Sequence, residues 1–227
     1  MIIITGASRG IGQFLLEQFD SAGEEVIGTY NSTLPSDDRK AKYFKIDLNN
    51  FKAVRDWIGD IIQGHQNLTL INCAGVNYNA FAHKADIDAW KKVIDLNLIG
   101  LANIIMAILP AMRANQWGRI INMSSVVAQV GVPGTSAYAA SKAGLWGMTR
   151  SVAVENAKLG ITANNLNLGY FNIGMINEVP LEFQNAIKGR IPTGEFGSPD
   201  DIYESVKYII NTPYLNGTSI DVNGGIH

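Results

Sequence analysis

Cysteine is almost missing from this chain: Cys73 is the only one in 227 residues. An intramolecular disulfide and a thiolate cluster for zinc are thereby excluded, and the thiol reads as a small apolar filler at a strand end. Histidine is nearly as scarce. His65, His83 and His227 fall without ligand spacing, so no metal site is expected. Neither sign of charge dominates either, since 18 Lys and Arg against 20 Asp and Glu leave a formal −2. That offers no footprint for nucleic acid or an anionic membrane surface. Uninterrupted apolar runs of about 18 residues are absent, which argues against a membrane span, and no charged-then-apolar leader precedes the first apolar run. The expectation is a cytoplasmic protein.

What is present is ordinary for a globular protein. Hydrophobic residues make up 47% of the chain, and its length suffices for one substantial core. No internal repeat or low-complexity linker divides it, so residues 1–227 read as one domain. Short β-branched runs alternate with amphipathic segments, the pattern of an α/β, Rossmann-type doubly wound parallel sheet with helices on both faces. About seven strands are expected, at residues 2–5, 26–30, 42–46, 68–73, 119–123, 162–168 and 219–222. Helices are expected at 11–21, 51–63, 87–114 with Pro110 near its end, and 136–159. A further helix starts at Ser198-Pro-Asp-Asp201, where an N-cap serine, a proline at the first helical position and acids in the first turn coincide. Only the eleven residues 31–41 join the second and third strands, close to the minimum for a parallel crossover. They lack an apolar stripe, and a turn or loop is expected there.

Two local constellations carry chemistry. The first strand runs into Gly6-Ala-Ser-Arg-Gly10-Ile-Gly12 and then an apolar-periodic helix. Such a turn lets the backbone approach a pyrophosphate, which sits on the free N–H groups of the helix N-terminus. The spacing G-x-x-x-G-x-G differs from the general G-x-G-x-x-G fingerprint. Further along, Tyr138 and Lys142 stand at i and i+4 and project from one helix face. An ammonium about 4 Å away, at an effective dielectric near 20, would bring a phenol from about 10 to about 7, which suits a general acid or base. Taken alone, Tyr-x-x-x-Lys more often marks a packed tyrosine beside a solvated lysine, and context must decide.

Together, the glycine turn after Thr5, Asn72-Cys-Ala-Gly75 after the fourth strand, Asn97, Ser125, Tyr138 and Lys142 resemble the classical short-chain dehydrogenase/reductase family over nearly the whole chain. The resemblance implies an enzyme that interconverts a carbonyl and a secondary alcohol by hydride transfer with a nicotinamide coenzyme. Tyr138 would exchange the proton, Ser125 would orient the substrate oxygen, Lys142 would hold the nicotinamide ribose and lower the phenol pKa, and Asn97 would hold a water linking the lysine to solvent. Ser124 competes with Ser125, and the thirteen-residue spacing to Tyr138 favours Ser125. Coenzyme contacts are implied at Gly6, Ser8, Arg9, Gly10, Ile11, Gly12, Asn31, Ser32, Asp47, Leu48, Asn72, Ala74, Gly75, Gly169, Phe171 and Ile173 as well as Tyr138 and Lys142. Asp47 could instead cap the helix that follows it.

NADP(H) is favoured over NAD(H), because Thr29-Tyr-Asn31-Ser32 at the end of the second strand contains no acid to hold a ribose 2′-hydroxyl, while Arg9 can pair with a 2′-phosphate. The family usually reads Pro-Gly-x-x-x-Thr after the sixth strand, where this chain has Leu168-Gly-Tyr-Phe-Asn-Ile173. Ile173 cannot hydrogen-bond the nicotinamide carboxamide through its side chain, so backbone groups or Asn172 must do so. Residues 120–127 and 217–225 resemble 3-oxoacyl-acyl-carrier-protein reductases, with features shared by many sugar, polyol and ketone reductases. The substrate is a small-molecule carbonyl or alcohol, and its specificity is expected in residues 76–84, 126–135 and 174–196. Leu101, Ile104, Ile105, Ile108, Trp146 and Met148 supply an apolar surface expected to form a homodimer or homotetramer. Two other readings are a non-catalytic nucleotide sensor, supported by the altered 168–173 loop, and an extended-branch epimerase or dehydratase, which needs more C-terminal sequence.

Overall fold

Strands buried on both faces need near-continuous apolar sequence, and the first one, Ile2–Thr5, is buried at every position. The computed structural model describes residues 1–35 and 42–227. Its seven strands are β1 (Ile2–Thr5), β2 (Val26–Tyr30), β3 (Tyr43–Lys45), β4 (Thr69–Asn72), β5 (Gly118–Ser125), β6 (Ile161–Leu168) and β7 (Ser219–Val222). They form one all-parallel sheet in the order β3-β2-β1-β4-β5-β6-β7. The order reverses between β1 and β4, the place where an open sheet of this kind leaves a crevice at its C-terminal edge.

The helices are α1 (Gly10–Ser21), α2 (Phe51–Ile61), α3 (Ile87–Ile94), α4 (Leu101–Asn115), α5 (Ser136–Asn156), α6 (Leu181–Lys188) and α7 (Pro199–Asn211). Two apolar cores lie on opposite faces of the sheet. One gathers α2, α4 and α5 around Ile3, Leu70 and Ile120; the other gathers α1 and α7 around Ile4, Ile71 and Leu166. The start of α7 is as expected: Ser198 and Asp201 form a capping box ahead of Pro199. The long helix expected at 87–114 is not uniform, because Asp95–Gly100 between α3 and α4 is a π-helical turn. Such an insertion re-aims the helix and is frequent at functional sites. Within the run Ile87–Asn115 an 18-residue window reaches a mean hydropathy of 1.9, and by length and composition the run could cross a bilayer. Here its inward stripe Leu101, Ile104, Ile105, Ile108 and Met112 packs into the core.

That packing corrects the expected association surface. Leu101, Ile104, Ile105 and Ile108 recur at helical period and face the sheet. Trp146 is tied by its indole N–H to Ser124 and Asn167, and Met148 packs against the core. The exposed apolar residues of this helical layer are instead Ile99, Met106 (58% exposed) and Val154 (80%). The 31–41 connection falls partly at residues 36–41, which lie outside the described residues; residues 31–35 carry no helix.

Within the sheet lies a buried polar ladder. Asn72 donates to Asn122, Asn122 to the Thr149 hydroxyl, Thr149 to Asn165, and Asn165 to Ser219, tying β4, β5, α5, β6 and β7 together. Buried amides are tolerable because they find partners in this ladder, and the matching of donors to acceptors fixes strand register.

Candidate active site

The glycine turn can only be built from glycines. Gly6 has φ +64, and a Cβ on it would lie 2.7 Å from Cα of Ala74; a Cβ on Gly12 would lie 2.4 Å from the Gly6 carbonyl oxygen. With no side chain there, the turn wraps tightly onto β4 and delivers the chain to α1, whose N-cap is Arg9. Above it opens a cleft of about 630 Å³. Of the expected coenzyme residues, Gly6, Ser8, Arg9, Gly10, Ile11, Gly12, Asn31, Ser32, Leu48, Ala74, Gly75 and Ile173 line this cleft.

Six expected residues do not line it. Asp47 is exposed, and its carboxylate accepts from the Asn49 N–H; the cap of α2 is Asn50, which accepts from Ala53. Asn72 is fully buried in the amide ladder. Gly169 is pressed against Asn223, where a Cβ would lie 2.6 Å from Cα, and Phe171 is buried beside Gly197. Phe171 and Asn172 line a second cavity of about 500 Å³, and neither is among the residues lining the main cleft. The Ile173 N–H is already given to the Phe171 carbonyl. Tyr138 and Lys142, the last two, form a candidate reaction centre beside the cleft, where a Cβ on Gly75 would lie 3.7 Å from the Lys142 Nζ.

That centre forms where β5 ends beside α5. Ser124 and Ser125 point to opposite faces of the strand. Ser124 donates to the Lys142 main-chain oxygen and accepts from Trp146, whereas Ser125 accepts from the Val127 N–H and lies near enough to the Tyr138 phenol to lower its pKa. Of the two serines, Ser125 is the one on the Tyr138 side of the strand. Lys142 is buried, donates to the Met123 carbonyl oxygen at 2.6 Å, and places its Nζ 5.5 Å from the centroid of the Tyr138 ring.

Burial pushes the Tyr138 phenol up to about 12, with the Ser125 hydrogen bond pulling down and a charge on Tyr170 pushing further up. The expected lowering to about 7 is therefore corrected. The Lys142 ammonium lies against the ring and is committed to a carbonyl, and the cost of desolvating a phenolate outweighs it. The lysine is itself affected: burial brings Lys142 down to about 8, Cys73 opposing. Cys73 lines the cleft, and burial raises its thiol to about 12. Tyr170, which the sequence did not single out, lines the second cavity, and a charge on it would be felt by the Tyr138 phenol.

The Asn97 side chain ties the π-helical turn to the loop after β4. Its Oδ1 accepts from the Val76 N–H, and its Nδ2 donates to the Val76 carbonyl and to Ser141. Both amide hydrogens are used, so Asn97 acts on this centre first as a positioning residue. Among the described residues no group of three or more His, Cys, Asp or Glu could hold a metal ion.

A family model described as short chain dehydrogenase matches residues 1–182. The chain belongs to the short-chain dehydrogenase family. It is 34% identical to a 3-oxoacyl-[acyl-carrier-protein] reductase of Pseudomonas aeruginosa, over 99% of this chain and 96% of that protein. An acetoacetyl-CoA reductase of Shinella zoogloeoides is also 34% identical, over 98% of this chain and 96% of the relative. A second 3-oxoacyl-[acyl-carrier-protein] reductase, from Staphylococcus aureus, matches at 34% over 99% and 97% of the two chains. This short-chain dehydrogenase is thus an oxidoreductase acting on a CH–OH/C=O pair, with a nicotinamide dinucleotide as the family's coenzyme. The residues present fit that coenzyme. The glycine turn leaves backbone N–H groups uncovered at the start of α1, and the cleft runs from there past Asn31 and Ser32 on one side and to Gly75 on the other.

Proposed function

We propose that the protein is a cytoplasmic, NADPH-preferring carbonyl reductase in which Tyr138 donates the proton. The single observation that carries this reading is the Tyr138 ring lying against the buried Lys142 ammonium at the end of β5, with Ser125 beside the phenol. The dihydronicotinamide supplies the hydride. What the chain supplies is a protonated phenol at the place where an alkoxide oxygen develops. A phenol with a pKa of about 12 arrives fully protonated at neutral pH, which suits reduction. Ser125 hydrogen-bonds the same substrate oxygen and keeps it in line with Tyr138. Lys142, largely charged at pH 7 with its pKa near 8, holds the nicotinamide ribose. A lone thiol has no disulfide to gain from an oxidising compartment, in keeping with the cytoplasm.

Preference for NADPH is supported by Arg9, the only cation among the described residues that line the cleft, and by the absence of an acid at Thr29 to Thr33. The names of the relatives put 3-oxoacyl thioesters at the head of the substrate classes. The test is a panel of 3-oxoacyl thioesters, ketones, diketones and sugars, scored by loss of NADPH absorbance with NADH in parallel. Thioesters turned over with NADPH are expected; no turnover with any member would overturn the reading. Arg9→Glu is expected to lower kcat/KM at least about tenfold with NADPH and by less than about twofold with NADH, since a charge-assisted pair to phosphate is lost and reversed. Equal losses would remove the coenzyme preference.

Ile99, Met106 and Val154 are placed to pair with another copy, giving a dimer or tetramer. In sedimentation, a single species near the chain mass of 24.6 kDa would refute this.

A further inference from the structure

Coenzyme selectivity involves a second residue that lies far from Arg9 in sequence. Arg9 NH1 lies 3.4 Å from Oε1 of Glu178, across 169 residues of sequence. Both side chains line the dinucleotide cleft. Glu178 ends the short 3-10 segment Gly174–Glu178, which crosses the glycine turn: a Cβ on Gly10 would lie 3.2 Å from Cα of Gly174. The backbone contact holds the strap in place, and the ion pair fixes its far end. The other acid lining the cleft, Glu17, already accepts from Gln13.

We propose that Glu178 is a coenzyme-selectivity residue: it occupies the Arg9 guanidinium in the coenzyme-free protein and must yield it to a 2′-phosphate. The inference rests on the reading of Arg9 as the phosphate partner. A guanidinium offers a planar fork that one carboxylate or one phosphate can take bidentately. If Glu178 stays on Arg9, its charge stands beside the incoming phosphate and repels it. If it leaves, the pair is lost. NADPH bears one of these costs, and NADH, whose ribose carries only a hydroxyl there, bears neither. Displacement also frees the end of the strap that leads through Val179 into α6, so NADPH and NADH leave that segment differently anchored.

The experiment measures dissociation constants for NADPH and NADH by fluorescence titration with wild-type protein, Glu178→Gln, Arg9→Gln and the double variant. Adenosine 2′,5′-bisphosphate and 5′-AMP serve as probes that do not reach the nicotinamide side. Glu178→Gln is expected to tighten NADPH and the bisphosphate roughly two- to fivefold at low salt, the range open to an exposed ion pair, with the gain shrinking at about 0.5 M salt. NADH and 5′-AMP are expected to change by less than about 1.5-fold, below the effect of a lost ion pair. In the Arg9→Gln background, Glu178→Gln is expected to do nothing. An equal gain for NADPH and NADH, no gain for NADPH, or a gain that persists without Arg9 would each overturn the proposal. The coenzyme reading fails separately, if Arg9→Gln alone leaves NADPH binding unchanged. Both positions are exposed, so the variants are expected to fold; matched thermal midpoints check this.

Discussion

Tyr138→Phe is expected to lower kcat by about a thousandfold or more, a loss in the middle of the range for a positioned general acid, while changing the dissociation constant for NADPH by less than about threefold. The substitution removes one oxygen and leaves the rest of the side chain unchanged. The ring remains to pack against the Lys142 ammonium. What is lost is the phenolic hydroxyl beside Ser125 at the end of β5. Chemistry and binding should therefore separate, with kcat falling and coenzyme affinity largely kept. The direction of the pKa displacement adds a second signature. Since burial holds the phenol near 12, the proton donor is present throughout the neutral range, and the wild-type reduction rate should show no fall assignable to Tyr138 below about pH 10. Oxidation needs the phenolate and should rise with pH across the same range. Near-normal turnover in the phenylalanine variant would assign the proton to another group, with Tyr170, whose charge the Tyr138 phenol feels, the next phenol to test.

Much of this could be read from the residues in order. Ile2-Ile-Ile-Thr5 followed by the glycine turn is legible because a strand buried on both faces and a turn that admits no Cβ are both local demands. The same is true of the Ser198 to Asp201 helix start, whose capping box involves only neighbours. What escaped depends on which way a side chain turns within the finished fold. Asn72 sits at the end of β4 as expected, but the alternation of the strand sends its amide into the sheet interior, where Asn122 receives it. The apolar residues of α4 were correctly seen as a stripe, yet sequence alone does not say whether a stripe faces a sheet or another copy. Leu101 and Ile104 face the sheet, which leaves Met106 outside. Glu178 and Arg9 meet across 169 residues, beyond the reach of any local pattern. Tyr138 and Lys142 do share a helix face, but the expected charge effect assumed a solvent-like setting that burial replaces.

Lys142→Met should abolish turnover and, unusually for a buried position, leave the protein at least as stable at neutral pH. Burial lowers the lysine from 10.5 to about 8, a displacement that corresponds to a cost of about 3 kcal/mol for keeping the ammonium inside. Below pH 8 the lysine is charged in both the folded and unfolded chain, and the full cost is present. Between pH 8 and 10.5 the unfolded chain still binds the proton that the folded one has released, so wild-type stability gains with rising pH from this group. Methionine has no such proton. The variant also leaves the Met123 carbonyl without its donor, which costs about 1–3 kcal/mol, so the net gain at pH 7 is small or nil. The pH dependence survives that offset. Relative to wild type, the variant should lose up to about 3 kcal/mol between pH 7 and 10, read as roughly 2–4 °C of thermal midpoint per kcal/mol in a chain of this length. Most of the loss should come above pH 8, and the window is best read below about pH 9.5, before unfolded-state phenols and the Cys73 thiol complicate it. A difference between the two proteins that stays flat from pH 7 to 9.5 would mean that Lys142 is solvated rather than buried, and the account of how the site holds a charge next to the phenol would fall with it.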